Sequence, residues 1–187
     1  MLVYLDLLLR WNQRVNLTGI RTPEECVTRH FGESLYLAQW VVLRGRLLDV
    51  GSGAGFPGLA LKIVAPELPV TLLEPVAKKR AFLKEVARAC GFDGVEVRGE
   101  RLRDYCRVLP SASFDFVTAR AVGQVEELAK DSARCLSPGG RLCLWLGERQ
   151  VAHLASRALG FAWDAPIELP FGRERRILVG RRVPGES

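Results

Sequence analysis

The sequence lacks several features that would settle its chemistry at once. Its five cysteines, Cys26, Cys90, Cys106, Cys135 and Cys143, are odd in number and contain no C-x-x-C pair. Neither a zinc site nor a disulfide framework is indicated, no metal is expected, and a reducing cytoplasm fits. No stretch approaches the ~20 apolar residues of a membrane span. The apolar first nine residues hold Asp6, and no A-x-A cleavage pattern follows. The expected setting is therefore cytoplasmic, without a membrane partner. No repeat, low-complexity tract or linker divides the 187 residues, so they read as one domain, 1–187. Acids are the minority charge. Twenty-seven Lys and Arg against 21 Asp and Glu leave +6 and a pI near 9.4, which favours a polyanionic partner. Many proteins without nucleic-acid ligands share that basicity.

What is present centres on Arg46–Gly58. Leu47-Leu48-Asp49-Val50 reads as a buried parallel strand, and Gly51, Gly53, Gly55 and Gly58 follow within eight positions. Leu59–Ala65 is helical in character, with Pro57 near the first turn, where its missing N–H costs nothing. Strand, glycine turn and helix start make a cofactor cradle, because glycine lets backbone approach a ligand closely and the first helical N–H groups are free donors. A dinucleotide fingerprint needs G-x-G-x-x-G, but Phe56 stands at the third glycine position. With Asp49 on the strand itself, the pattern suits S-adenosylmethionine better. Asp49 is placed to meet an ammonium group. Glu74, 25 residues later at the end of Val70–Leu73, is placed to take ribose hydroxyls. The plain alternative is a tight turn with no ligand.

Around this centre the chain alternates. Tyr4, Leu8, Trp11 and Val15 form one helical stripe. Thr22 caps a second helix, with Pro23 first and Glu25 as capping-box partner, expected to run to about Val42. Residues 1–45 read as a helical cap and 46–187 as an α/β core. Strands are expected at 69–74, 95–98, 114–119 and 141–146, and helices at 76–90, 123–136 and 149–159. Strands at 162–169 and 174–181 read as an antiparallel edge pair joined by a short hairpin loop, Pro170-Phe171-Gly172. The fold class is α/β, a doubly wound, mostly parallel sheet with helices on both faces. Such sheets bind ligands beyond the carboxyl ends of their strands, where Asp49, Glu74, Arg98 to Leu102 and Arg120 fall. Arg120 sits where a methyl acceptor approaches; a solvated arginine at a strand end is the alternative.

Taken in order, several of these pieces resemble the RsmG (GidB) family. They are Asn16-Leu17-Thr18, Arg29-His30 with Ser34, Asp49 to Gly58 with its Gly-Phe-Pro-Gly end, Lys78-Lys79 with Phe82-Leu83, and Ala119-Arg120-Ala121. Leu169-Pro170-Phe171 with Glu174-Arg175-Arg176 is similar to that family's C-terminus. The resemblance implies a class I methyltransferase fold of seven strands, with S-adenosylmethionine as cofactor. It implies transfer to N7 of guanine-527 in the 530 loop of 16S ribosomal RNA, on the 30S subunit, with no DNA partner and a monomeric enzyme. By position it implies cofactor contacts at Asp49, Gly51, Gly53, Gly55, Phe56, Glu74, Leu102, Arg103 and Arg120, with Arg120 also positioning the acceptor. It implies RNA contacts at Asn16, Arg29, His30, Ser34, Lys78, Lys79, Arg175 and Arg176. Arg103 stands where the family often has an acid, and Leu146-Gly147 where it usually has a lysine before glycine.

Arg10, Arg14, Arg21, Arg173, Arg181 and Arg182 are further candidates for the RNA backbone, although the C-terminal arginines equally suit a protected edge strand. A methyltransferase with another acceptor, a silent RNA-binding or ribosome-assembly factor on the same fold, and a dinucleotide oxidoreductase remain the rival readings.

Overall fold

The computed structural model describes residues 1–109, 112–121, 123–170 and 175–183. Helix α1 (Leu2–Asn12) buries Tyr4, Leu7 and Leu8, so Leu7 joins the expected stripe. Asn12 at its end folds the next loop. Its amide donates to the carbonyls of Thr18 and Ile20, and its oxygen accepts from the N–H groups of Leu17 and Thr18.

The second helix starts as its capping residues dictate, with Thr22 Oγ1 accepting from the Glu25 N–H. The reciprocal half of the box differs, because the Thr22 hydroxyl itself donates to the Glu25 carboxylate at 3.2 Å. The winding then changes. After α2 (Pro23–Glu25) comes a π-wound segment (Cys26–Gly32), then α3 (Glu33–Leu35) and a 3-10 turn ending at Gln39, short of the expected Val42. The Glu33 N–H, the α-helical partner of the Arg29 carbonyl, bonds instead to Thr28 O and His30 O. Local π winding of this kind is frequent at functional sites.

Strands β1 (Leu47–Val50), β2 (Val70–Leu73), β3 (Val95–Arg98), β4 (Phe114–Arg120) and β5 (Leu136–Gly147) are mutually parallel. Short β6 (Phe161–Trp163) and β7 (Ile167–Glu168) and the longer β8 (Arg175–Arg182) complete the sheet. The order is β3-β2-β1-β4-β5-β8-β6, with β7 also on β8. Successive residues feed opposite cores, as strands buried on both faces require. Leu47, Leu72, Phe116, Cys143 and Ile177 face α1, α4 (Gly58–Val64) and α5 (Ala77–Ala89). Leu48, Leu73, Val117, Leu144 and Leu178 face α6 (Leu102–Val108), α7 (Val125–Cys135) and α8 (Glu148–Ala155).

Four expectations need correction. The single strand foreseen at 162–169 is split at Asp164–Pro166, so eight strands fill the seven lanes of the sheet. The last strand is not an edge: β8 lies between β5 and the β6/β7 pair. Helix α6 fills what read only as a basic segment, although Leu102, Tyr105, Cys106 and Leu109 carry its apolar spacing. Val76, expected to open the helix at 76–90, is instead its exposed N-cap, and Phe82, Leu83 and Val86 make the buried face of α5. The hairpin loop around Phe171 and Gly172, together with Arg173 and Glu174, lies outside the described residues.

Candidate active site

Strand order reverses between β1 and β4, and register makes their ends level, Val50 pairing with both Leu73 and Ala119. The ends of β2, β1 and β4 therefore present Glu74, the glycine loop and Arg120 side by side at a switch point, where open α/β sheets take their ligands.

The loop has two sides. Gly51 and Gly53 have positive φ, and a Cβ built on either meets nothing closer than 3.8 Å. That side is an open cradle. Gly55, also at positive φ, faces inward, and a Cβ there would lie 2.2 Å from the Tyr4 hydroxyl and 2.9 Å from Leu59 Cδ1. The Tyr4 hydroxyl donates to Ala54 O at 2.6 Å, tying α1 to the loop. Phe56 stacks on Tyr4 (5.3 Å) and on His30 (4.7 Å) and meets Phe31 edge-on. Its ring is thus a pin between cap and loop, and only its backbone stays available to a ligand. Pairs of this geometry add about 0.5–1.5 kcal/mol each beyond area burial.

Asp49 is fully buried beneath the loop. Its Oδ1 accepts from Thr118 Oγ1 at 2.7 Å and its Oδ2 has no partner. Burial pushes its carboxyl up to about 6, against the hydrogen bond from Thr118. Its Oδ2 lies against Gly58 at the start of α4, and above that pH the ionised carboxylate favours a cation at the loop. Glu74 is buried too, with Oε2 accepting from the Gly53 N–H at 2.9 Å and Oε1 from the Val76 N–H at 2.8 Å. It shapes the loop, and each oxygen keeps a lone pair for a ligand hydroxyl. Leu102 heads α6 and is buried, while Arg103 beside it is exposed.

Arg120 is not a solvated arginine. Its side chain is 7% exposed and pairs with Glu33 Oε2 at 3.0 Å, while Nη2 donates to Arg29 O at 2.8 Å and Nη1 has no partner among the described residues. Burial lowers its pKa to about 10, with Glu33 opposing, so it stays cationic at neutral pH. His30 Nε2 shares a hydrogen bond of 2.7 Å with Thr18 Oγ1, and Nδ1 is buried without a partner. Burial first, then Arg120, Arg175 and Arg29, drop its pKa to about 3. The folded state therefore binds fewer protons at His30 than the unfolded chain, whose value is near 6.5. Stability from this group is full above pH 6.5 and is lost as pH falls toward 3. Asp49 acts in the opposite sense between about pH 4 and 6. Because the two groups offset each other over that range, the informative quantity is the difference between variants: the urea midpoint of His30→Gln is expected to rise relative to wild type as pH is lowered from 7 to 4, and a difference independent of pH would refute the assignment.

Relatives then place the constellation. The family described as rRNA small subunit methyltransferase G matches residues 1–166. Ribosomal RNA small subunit methyltransferase G of Syntrophotalea carbinolica is 38% identical over 99% of this chain and 89% of its own length. The protein of the same name from Chloroflexus aggregans is 42% identical over 94% of this chain and 77% of its own. The chain belongs to this family. Its fold is that of class I methyltransferases: a SAM-dependent methyltransferase from Aquifex aeolicus superposes with a TM-score of 0.67 at 18% identity, covering 85% of this chain and 93% of that one.

Within this rRNA methyltransferase G fold the expected RNA contacts divide. Asn16, Arg29 and Lys78 are exposed and Lys79 is half-buried, all free to reach a polyanion. Ser34 is a correction: it is fully buried and its hydroxyl donates to His30 O at 2.6 Å, so it braces the π-wound segment instead of facing RNA. His30 is likewise a neutral, stacked side chain and not a cation for phosphate. Arg175 pairs with Glu33 at 3.3 Å, and Arg176 with Glu168 and Glu148 at 2.9 and 3.3 Å, so protein carboxylates already meet their charges.

The C-terminal arginines are not one cluster. Arg175 pairs with Gly147 at the site end of β5, whereas Arg181 pairs with Arg141, six residues of strand and ~20 Å away. Leu146, the departure from the family's lysine, points into the apolar core at 1% exposure. Sequence reasoning missed Glu33, Tyr4 and Thr118. Tyr4 showed only as a core position of the α1 stripe, and Thr118 lies two residues before Arg120 on the same face of β4.

Proposed function

We propose that this chain methylates N7 of guanine-527 in the 530 loop of 16S ribosomal RNA, acting on the 30S subunit in the bacterial cytoplasm as a monomer. The reaction class is that of its family, S-adenosylmethionine-dependent methylation of small-subunit ribosomal RNA. The observation that carries the site assignment is the open side of the glycine loop at Gly51 and Gly53, with the buried Asp49 carboxylate at the loop's base and Glu74 and Arg120 at the flanking strand ends.

The residues fit such a cofactor. Asp49 supplies negative charge under the ammonium group, Glu74 supplies acceptors for the ribose hydroxyls, and Leu102 with the α6 start supplies an apolar edge for adenine. When bound, S-adenosylmethionine supplies a methyl group made electrophilic by its sulfonium. Guanine N7 carries an in-plane lone pair and needs no deprotonation. The protein's task is to align the base, exclude water and hold charge in place. No proton has to leave the base for the transfer, which fits His30 held neutral as a packing surface for Phe56. Arg29 and Lys78 at the mouth are placed for RNA phosphates, whose contacts make binding salt-dependent.

Two measurements test this. Titration calorimetry with S-adenosylhomocysteine, followed by labelled methyl transfer to 30S subunits lacking the modification, is expected to give binding and 7-methylguanine. Binding with label elsewhere or nowhere would overturn the acceptor, and absence of binding the cofactor assignment. Affinity for S-adenosylhomocysteine is also expected to fall up to tenfold per pH unit below about 6, as Asp49 takes up a proton. In Asp49→Asn the affinity is weaker and flat over the same range; a wild-type slope in that variant would remove Asp49 from the binding site.

A further inference from the structure

Glu33 opens α3, immediately after the π-wound segment, and its carboxylate is almost without solvent at 3% exposure. Oε2 lies 3.0 Å from Arg120 on β4 and 3.3 Å from Arg175 on β8, and its main-chain carbonyl accepts from the Trp145 indole of β5 at 2.9 Å. Three strands therefore close on one residue of the cap. A buried carboxylate persists in such a place only when paired, and here two guanidinium groups pair it.

The pairing is one-sided at Arg120. Nη2 carries both the ion pair and the bond to Arg29 O, while Nη1 is buried with no partner. Because a guanidinium is a rigid planar fork, fixing one nitrogen fixes the direction of the other. We infer that Glu33 is a positioning residue that holds Arg120 by Nη2, so that Nη1 remains a fixed, desolvated donor for an acceptor oxygen of the methyl-transfer complex. This rests on the reading of Arg120 as a wall of the cofactor and acceptor pocket. The acceptor is a carboxylate or carbonyl oxygen, found on both the methyl donor and the guanine base.

The test is a double-mutant cycle in the full chain: wild type, Glu33→Gln, Arg120→Ala and the pair. The readouts are urea midpoint, S-adenosylhomocysteine affinity by calorimetry, and kcat and KM for methyl transfer to undermethylated 30S subunits. Glu33→Gln is expected to stay folded and lose at least tenfold in turnover or cofactor affinity. In the Arg120→Ala background it costs less than twofold more. Glu33→Asp, which keeps the charge at shorter reach, recovers at least threefold of the loss. A loss in S-adenosylhomocysteine affinity places the acceptor oxygen on the cofactor; a loss in turnover alone places it on the base.

Folded Glu33→Gln with wild-type affinity and turnover, or equal losses in both backgrounds, would overturn the inference. If Glu33→Gln does not fold, Glu33→Asp replaces it in the cycle: a smaller loss is expected in the wild-type background and under twofold in the Arg120→Ala background, and no loss, or equal losses in both backgrounds, would overturn the inference. A wild type that binds cofactor but does not methylate the subunit fails the functional reading instead, and the affinity arm of the cycle still decides the role of Glu33.

Discussion

Gly51→Val is expected to abolish S-adenosylhomocysteine binding, by at least 100-fold in Kd, while the protein stays folded. Gly51 has φ +67°, so any side chain there pays a left-handed strain of about 1–2 kcal/mol. No atom of the described residues lies within 4 Å of the added Cβ, so strain is the main structural cost. The isopropyl group would instead stand in the space through which a ligand reaches the loop backbone. Gly55→Val is the matched control with the opposite profile. Its side chain would enter the Tyr4 hydroxyl and Leu59, disrupting the bond from Tyr4 to Ala54 and the cap itself. A folded Gly51→Val with wild-type affinity would show that the open side of the loop is not the cofactor side.

Arg120→Ala is expected to lose turnover by two to three orders of magnitude, and also to cost the fold more than a strand-end arginine would. Truncating one partner of a buried ion pair commonly costs ~3–5 kcal/mol, because the remaining charge is left uncompensated. Arg175, 3.3 Å from the same Glu33 oxygen and 34% exposed, still meets that charge, so the lower end of the range is expected. Arg120→Lys separates the effects. It keeps the charge near Glu33 and much of the stability, but has no second nitrogen in a fixed fork, so turnover stays low. Wild-type methylation by Arg120→Ala at a temperature where it is folded would remove Arg120 from the site.

The cofactor half of the site was legible because its rules are local. Gly51, Gly53 and Gly55 announce backbone at positive φ, Asp49 and Glu74 mark the ends of consecutive strands, and Phe56 breaks the dinucleotide spacing. The strand–helix alternation carried the sheet in the same way. Errors gathered where one pattern has two solutions. Residues 162–169 are apolar enough for one strand, yet pairing stops after Trp163 and resumes at Ile167, with Pro166, which has no N–H to donate, between them. Residues 102–109 have helical spacing among so many charges that the basic character masked it.

By itself the sequence determined the α/β class, the cradle, the strand-end acids and the family. The first three follow from periodicity, backbone freedom or local motif, and the family from motifs spread in order from Asn16 to Arg176. Only the tertiary structure decided that Glu33, 87 residues from Arg120 and 142 from Arg175, pairs with both, that Ser34 and His30 face inward, and that the C-terminal arginines separate to opposite ends of the sheet. The physical reason is that ion pairs and burial depend on which faces of distant elements meet, and that is set by the π winding of residues 26–32 and the register of β8 against β5.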